Sequence, residues 1–392
     1  MSAVSVEPLV VIVGAGPAGI ATAACLKRHS ISSIILEKEY CCASLWKNRA
    51  YDRLKLHLAK KFCSLPHFPI PSSAPTFVPR EGFIQYMDCY VTEFKLEPFF
   101  GRFVKSATYD SSLGKWLIEA KNTTLNKTET YTGDFLVVAS GENSKGIIPE
   151  LPGLDSFPGE TIHSSEYKSG TNFQDRKVLV VGSGNSGMEI SYDLSKYGVD
   201  TSIVVRSPCH ILSKEMVYVG MTLMKFLPMS LVDHLIMMYA KFRYGDLTQY
   251  GLHLPEQGPF YRKFVTGKSP VIDVGTVEKI KKGEIKIFPA ITSIKDGKAT
   301  FEKGEEQTFD AMIFATGYKS TTNSWLKDFV YILNGDGMPK MSFPNHWKGE
   351  NRLYCAGFSS RGLAGIAMDA EAIADDIKTI RNNAIKIINK LF

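Results

Sequence analysis

The sequence predicts an α/β protein made of two similar nucleotide-binding units, the second inserted into the first. Three observations carry this. An apolar run closes on G-x-G-x-x-G at residues 10–19, and a second does so at 177–187. Two further apolar runs, Phe135–Gly141 and Phe309–Tyr318, end alike in small-residue turns. They mark where the chain leaves and re-enters the first unit. Short strands alternating with helical patterns favour parallel sheets covered by helices.

The first unit opens with Val10–Val13 and runs into Gly14, Ala15, Gly16, Pro17, Ala18 and Gly19. A helical pattern follows from Ile20 to Arg28, then a second strand, Ser33–Leu36, that closes on Glu37. Gly14 lets the chain turn tightly. Gly16 has no side chain to hold a pyrophosphate off the backbone, and Gly19 lets the helix lie close on the sheet. The helix N-terminus offers N–H donors and a positive dipole end to phosphates. Glu37 stands where a carboxylate accepts the hydrogen bonds of a ribose diol. Strand, turn, helix and acid together predict a Rossmann-like dinucleotide site.

Residues 38–79 are rich in aromatic, proline and basic residues, including Lys38, Leu45, Trp46, Tyr51, His57 and Phe68. The stretch is too irregular for one long element. It reads either as a surface excursion pinned by its aromatics or as a cover for a bound cofactor. Arg80–Phe94 reads as a helix and Trp116–Ala120 as a strand. Phe135–Val138 is a buried strand that ends in Ala139, Ser140 and Gly141.

The bridge to the second unit has the spacing Phe157-x-Gly159-x-x-x-His163-x-x-x-Tyr167-Lys168. His163 is expected to order this linker. Lys177–Val181 then enters Gly182, Ser183, Gly184, Asn185, Ser186 and Gly187, followed by a helix, Met188–Lys196, and a strand, Thr201–Val205. This strand ends on Arg206 and Ser207, where the first unit had its acid. A guanidinium and a hydroxyl suit a 2′-phosphate, which predicts NADP rather than NAD.

From 214 to 263 the pattern is helical and Met-rich, broken at Pro228. The methionines read as core filler, with a substrate-lining insertion as the alternative. Ile285–Phe288 and Ala299–Phe301 look like an antiparallel piece. Leu353–Phe358 is a strand with a turn at Gly357, followed by a helix over Leu363–Ile377. Ile380–Phe392 reads as a separate basic amphipathic helix, apolar at Ile385, Ile388 and Leu391, expected to pack onto the domain.

Bulk properties narrow the class. The 392 residues suffice for two or three domains. A net charge of +6, spread along the chain, is no nucleic-acid signature. Seven cysteines without a C-x-x-C argue for a reducing compartment and against a zinc site. The first strand begins almost at once, leaving no room for a cleaved leader, and no run of 18 apolar residues occurs. A soluble cytoplasmic protein without a metal is expected.

Two glycine turns, the spacing at 157–168 and Phe314-Ala315-Thr316-Gly317-Tyr318 together resemble the class B flavin-dependent monooxygenases. Tyr51–Leu58, Ala139–Asn143 and Gly357–Leu363 resemble more narrowly the plant YUCCA monooxygenases, which convert indole-3-pyruvate to indole-3-acetate, an auxin. Ala59 replaces a proline common there, and Ser140 replaces the threonine of an A-T-G turn. The resemblance covers nearly the whole chain.

It implies an FAD domain of 1–165 and 310–392, interrupted by an NADPH domain of 166–309 whose helical insertion covers about 214–263. It also implies O2 as co-substrate and a C4a-(hydro)peroxyflavin. Lys38, Leu45, Trp46, Ser140, Gly141, Thr316, Gly317 and Gly357 would join the glycine turns in holding the cofactors, with His57 near the flavin or merely structural. An N- or S-oxygenating enzyme would carry the same cofactors. A disulfide reductase would need a spaced redox pair, and adjacent Cys41-Cys42 bridge only with strain. A non-catalytic nucleotide-binding protein could keep the same fold.

Overall fold

The structure is a computed structural model that describes residues 9–326 and 332–391. The chain forms two compact units. The first comprises Met1–Asn48, Lys60–Lys145 and Tyr318–Phe392, the second Arg49–Ala59 and Gly146–Gly317.

In the first unit, four short apolar runs form a parallel sheet in the order Leu353–Cys355, Phe135–Val138, Val10–Val13, Ser33–Leu36. The two central strands are wholly buried, as expected for a parallel sheet covered on both faces. The helices Pro17–Arg28 and Gly362–Leu391 pack together as one element pair. An antiparallel meander, Arg102–Asp110, Lys115–Asn122 and Lys127–Gly133, contributes Val104, Trp116 and Ile118 to a core shared with Val11, Val13, Leu136 and Val138. Of these three strands the sequence signalled only the middle one.

The second unit holds a five-stranded parallel sheet in the order Ile285–Phe288, Asp200–Val204, Lys177–Val181, Ala311–Phe314, Glu160–His163. Its helical insertion consists of Lys214–Leu223, Met229–Tyr244 and Pro259–Thr266. As the sequence predicts, Pro228 stands at a helix boundary, as N-cap of the second of these helices. A proline is tolerated there but not in a helix interior.

Four expectations are corrected. The second unit begins at 146 and ends at 317, because Glu160–His163 and Ala311–Phe314 pair into its sheet. Residues 49–59 also belong to it. Ile285–Phe288 pairs in parallel with Thr201–Val204, while Ala299–Phe301 belongs to a separate antiparallel sheet with Ile291–Lys295 and Glu306–Thr308. The C-terminal segment is one continuous helix, Gly362–Leu391, with no break near 380. Arg381 still donates to the Ser30 carbonyl at 2.8 Å, but residues 382–387 are exposed, Ile385 at 46%, so this stretch does not pack onto the domain. The side chains of Ile388, Lys390 and Leu391 lie outside the described residues.

Candidate functional site: two glycine turns

In the first turn Gly14 has φ +112°, and a Cβ built there would lie 2.4 Å from the Ala139 carbonyl oxygen. A Cβ at Gly19 would lie 1.9 Å from the Gly14 carbonyl oxygen. Both glycines are therefore demanded by the fold itself, one by conformation and contact, the other by contact. Gly16 is different. It is the N-cap of Pro17–Arg28 with φ −72° and ψ 179°, a conformation open to any residue, and no protein atom lies within 4 Å of a Cβ placed on it. Neither backbone nor packing asks for glycine at 16. The bare backbone there leaves room for a group from outside the chain to approach it closely.

The helix beginning there carries no side-chain cap and no acid in its first turn, and Pro17 occupies its first position. The positive end of its dipole is left uncompensated by its own first turn, as an anion site requires. Glu37 is 5% exposed at the end of the neighbouring strand. Its Oε2 accepts the Ala15 N–H at 2.6 Å and its Oε1 the Glu39 N–H at 2.9 Å. Burial pushes its pKa up, against the pull of those two donors. The carboxylate thus braces the turn as well as facing it.

Other expected residues gather around this turn. Ser140 follows Ala139 with its Cα 3.3 Å from the Gly14 Cβ position, and its Oγ lies 3.0 Å from Thr322 Oγ1. Gly141 has φ +86°. A Cβ at Gly357 would lie 2.8 Å from the Ala18 Cβ, and the Gly357 N–H donates to Asp369 at 2.9 Å. Ala43 N–H donates to the Ala15 carbonyl and opens the turn that carries Leu45 and Trp46. The Trp46 ring packs on Phe83 at 4.5 Å between centroids. Lys38 is exposed.

The second turn repeats the first in its three glycines. Gly182 has φ +113° with its Cβ position 2.6 Å from the Ala315 carbonyl oxygen, and the Gly187 Cβ position is 1.8 Å from the Gly182 carbonyl oxygen. Gly184 is an N-cap at φ −74°, ψ −174°, again with nothing within 4 Å. Ser183 and Ser186 are half-buried beside it, and Asn185 ties the turn to Ile272 N–H through its Oδ1 at 2.7 Å. Thr316 follows Ala315, its hydroxyl on the Ile147 carbonyl, and Gly317 accepts the Ile147 N–H at 3.0 Å. Val204 pairs with Val181, so Arg206 and Ser207 leave the same end of the sheet as the glycine turn. Both are exposed, and among the described residues Arg206 forms no ion pair.

The two helices differ inside. The first is apolar where buried, apart from Thr22, whereas Asn185–Lys196 buries two carboxylates one turn apart, Glu189 and Asp193. They receive the segment 49–59. Tyr51 OH donates to Glu189, and His57 Nε2 lies 3.4 Å from Glu189 Oε2. Asp193 accepts Tyr167 OH at 2.7 Å and Gly170 N–H at 2.9 Å, with Arg53 Nε at 3.9 Å. Lys168 completes the hold through its Nζ on the Ala50 carbonyl. Burial pushes the Glu189 pKa up, but the hydrogen bond and charge of His57, with Tyr51 and Lys214, outweigh it and hold the acid below its ordinary value.

His57 is thus placed on the second unit, 28% exposed. His163, 3% exposed, bonds Ser165 Oγ at 3.0 Å and the Gly317 carbonyl at 3.1 Å, fastening the two ends of the second unit's main stretch. Burial lowers its pKa. Sequence reasoning missed Glu189 and Asp193. Their signal is a pair of acids at i and i+4 among the apolar positions of a helix due to be buried.

A family model described as flavin-binding monooxygenase-like matches residues 8–350. Probable indole-3-pyruvate monooxygenase YUCCA10 of Arabidopsis thaliana is 56% identical over 96% of this chain and 100% of its own length. This chain belongs to the YUCCA family of flavin-binding monooxygenases. Other family members of comparable span include YUCCA6 of Arabidopsis thaliana, 44% identical over 94% of this chain and 89% of its own. Among solved structures, the flavin-containing monooxygenase from Stenotrophomonas maltophilia has the same fold at TM-score 0.72 and 19% identity, covering 95% of this chain and 98% of its own. Membership makes the protein an FAD-dependent monooxygenase that uses NADPH and a small-molecule substrate. Among the described residues no helix is long and apolar enough to cross a membrane.

Proposed function

We propose that the protein oxidises indole-3-pyruvate to indole-3-acetate with NADPH and O2. The first unit holds FAD on Gly14–Gly19, with Glu37 at a ribose and Ser140, Gly141, Gly357, Lys38 and the Leu45–Trp46 turn around it. The second holds NADPH on Gly182–Gly187, with Thr316 and Gly317 beside the turn and Arg206 and Ser207 on the 2′-phosphate. The observation that carries this assignment is the pair Gly16 and Gly184, glycines that nothing within the chain requires.

Bound FAD supplies the activation of O2 by electrons from NADPH; the chain supplies position and exclusion of water. The two helix starts neutralise pyrophosphate charge. Arg206 selects the phosphorylated dinucleotide through a forked contact. Glu189, by fixing Tyr51 and His57, holds the 49–59 segment on the NADPH-binding unit. The overall reaction balances as indole-3-pyruvate, NADPH, a proton and O2 giving indole-3-acetate, CO2, NADP+ and water. The bond between the carboxylate and keto carbons breaks, and one oxygen atom of O2 enters the new carboxylate.

A cytoplasmic setting agrees with seven cysteines that are all free thiols. The test is anaerobic mixing of the yellow protein with NADPH, then labelled O2 and indole-3-pyruvate. One labelled oxygen in indole-3-acetate supports the reading; bleaching followed only by hydrogen peroxide contradicts the substrate.

A further inference from the structure

The helical insertion of the second unit turns an apolar face outward. On Met229–Tyr244 the exposed large apolar side chains are Leu231, Leu235, Met238, Tyr239 and Phe242, spaced i, i+4, i+7, i+8 and i+11. That spacing is one face of a 3.6-residue helix. The opposite face, with Val232, Ile236 and Tyr244, is buried in the unit's core. The helix is therefore apolar on two sides and covered on one. Phe242 is 88% exposed, and Phe264 on the adjoining helix Pro259–Thr266 is 65% exposed. Single exposed apolar residues are ordinary, whereas a continuous row along a helix marks an interaction surface.

Charge identifies the occupant. The one acid on Met229–Tyr244 is Asp233, which is buried and accepts the N–H groups of Phe260 and Tyr261 at 2.8 and 3.0 Å. Pro259–Thr266 has no acid. The exposed Lys241 and Arg243 flank the row, and Arg262 and Lys263 lie on the neighbouring helix. We propose that this face docks on an anionic lipid surface, the apolar row entering the headgroup boundary and the cations meeting lipid phosphates and carboxylates. A second copy of the chain would set these cations against their own like, with no exposed carboxylate on either helix to neutralise them.

The test sediments the full FAD-loaded chain with vesicles of phosphatidylcholine, alone or with about one quarter phosphatidylserine. Partitioning is expected to be about tenfold stronger on the anionic vesicles and to weaken as salt rises. The double substitution Leu235→Ser, Phe242→Ser is expected to lower it about tenfold on both vesicle types, with flavin absorbance and unfolding midpoint unchanged. Lys241→Glu is expected to weaken binding to the anionic vesicles alone. Equal partitioning of wild type and the serine variant overturns the proposal. So does a two-chain mass in light scattering that Phe242→Ser reduces to one chain, since a second copy would then cover the face.

Discussion

The two glycine turns are built to one plan and end differently. Gly14 and Gly182 sit at φ +112° and +113°, Gly19 and Gly187 each stand against a carbonyl oxygen, and Gly16 and Gly184 face no protein atom. Past the adjoining strand, one unit buries Glu37 against its own turn, and the other leaves Arg206 exposed. On the proposed assignment the shared part meets what two dinucleotides have in common, a pyrophosphate, and the unshared part separates them, by a ribose diol in one case and a 2′-phosphate in the other. The helices diverge in the same way. The second buries Glu189 and Asp193 to anchor a segment that the first has no means to hold.

The largest effect is expected where the turns agree. Gly19→Val or Gly187→Val would drive a side chain into a carbonyl at under 2 Å, costing more than about 3 kcal/mol and abolishing soluble folded protein. Normal yield and melting temperature would contradict the close contact.

The next effect separates the turns. Arg206→Ala should raise the KM for NADPH about 30-fold, the worth of a charge-assisted phosphate contact, and leave that for NADH unchanged. Equal rises for both would remove the 2′-phosphate role.

Smaller still, and opposite in sign, are the pH responses of the two buried acids. Glu189 is held below its ordinary pKa of 4.5, so the stability it lends is present above that value and fades as pH falls through its folded pKa. Glu37 is held above 4.5, so its contribution is full below that value and fades as pH rises through its folded pKa. Urea unfolding from pH 4 to 7 should show the gap between wild type and Glu189→Gln widening with pH, and that for Glu37→Gln narrowing. Slopes of the same sign would contradict the two environments. Tyr167→Phe, which removes one buried hydroxyl bond to Asp193, should cost only about 1 kcal/mol in the same assay.

Local signals of unambiguous period were legible in the sequence. The strands Val10–Val13 and Lys177–Val181, both glycine turns and the break at Pro228 each follow from a handful of neighbouring residues. What the sequence hid was partnership over distance. An apolar run such as Ala311–Phe314 does not say which sheet it will join, so the border of the second unit was misplaced. Ile285–Phe288 reads alike in parallel or antiparallel company. The helix past Ile377 carries its polar pattern straight through Thr379–Asn382, with no breaker to end it. Tyr51 and His57 gave no hint that their partner lies more than 130 residues away on the helix Asn185–Lys196.

The most direct test of the central claim compares Gly16→Val with Gly184→Val, each purified and examined by flavin absorbance and anaerobic NADPH titration. Neither added Cβ meets the protein, so both variants should fold with normal melting behaviour. Gly16→Val should be colourless, while Gly184→Val should remain yellow yet resist bleaching by NADPH. Two yellow proteins that bleach normally would contradict the account, as would loss of flavin from the Gly184 variant alone.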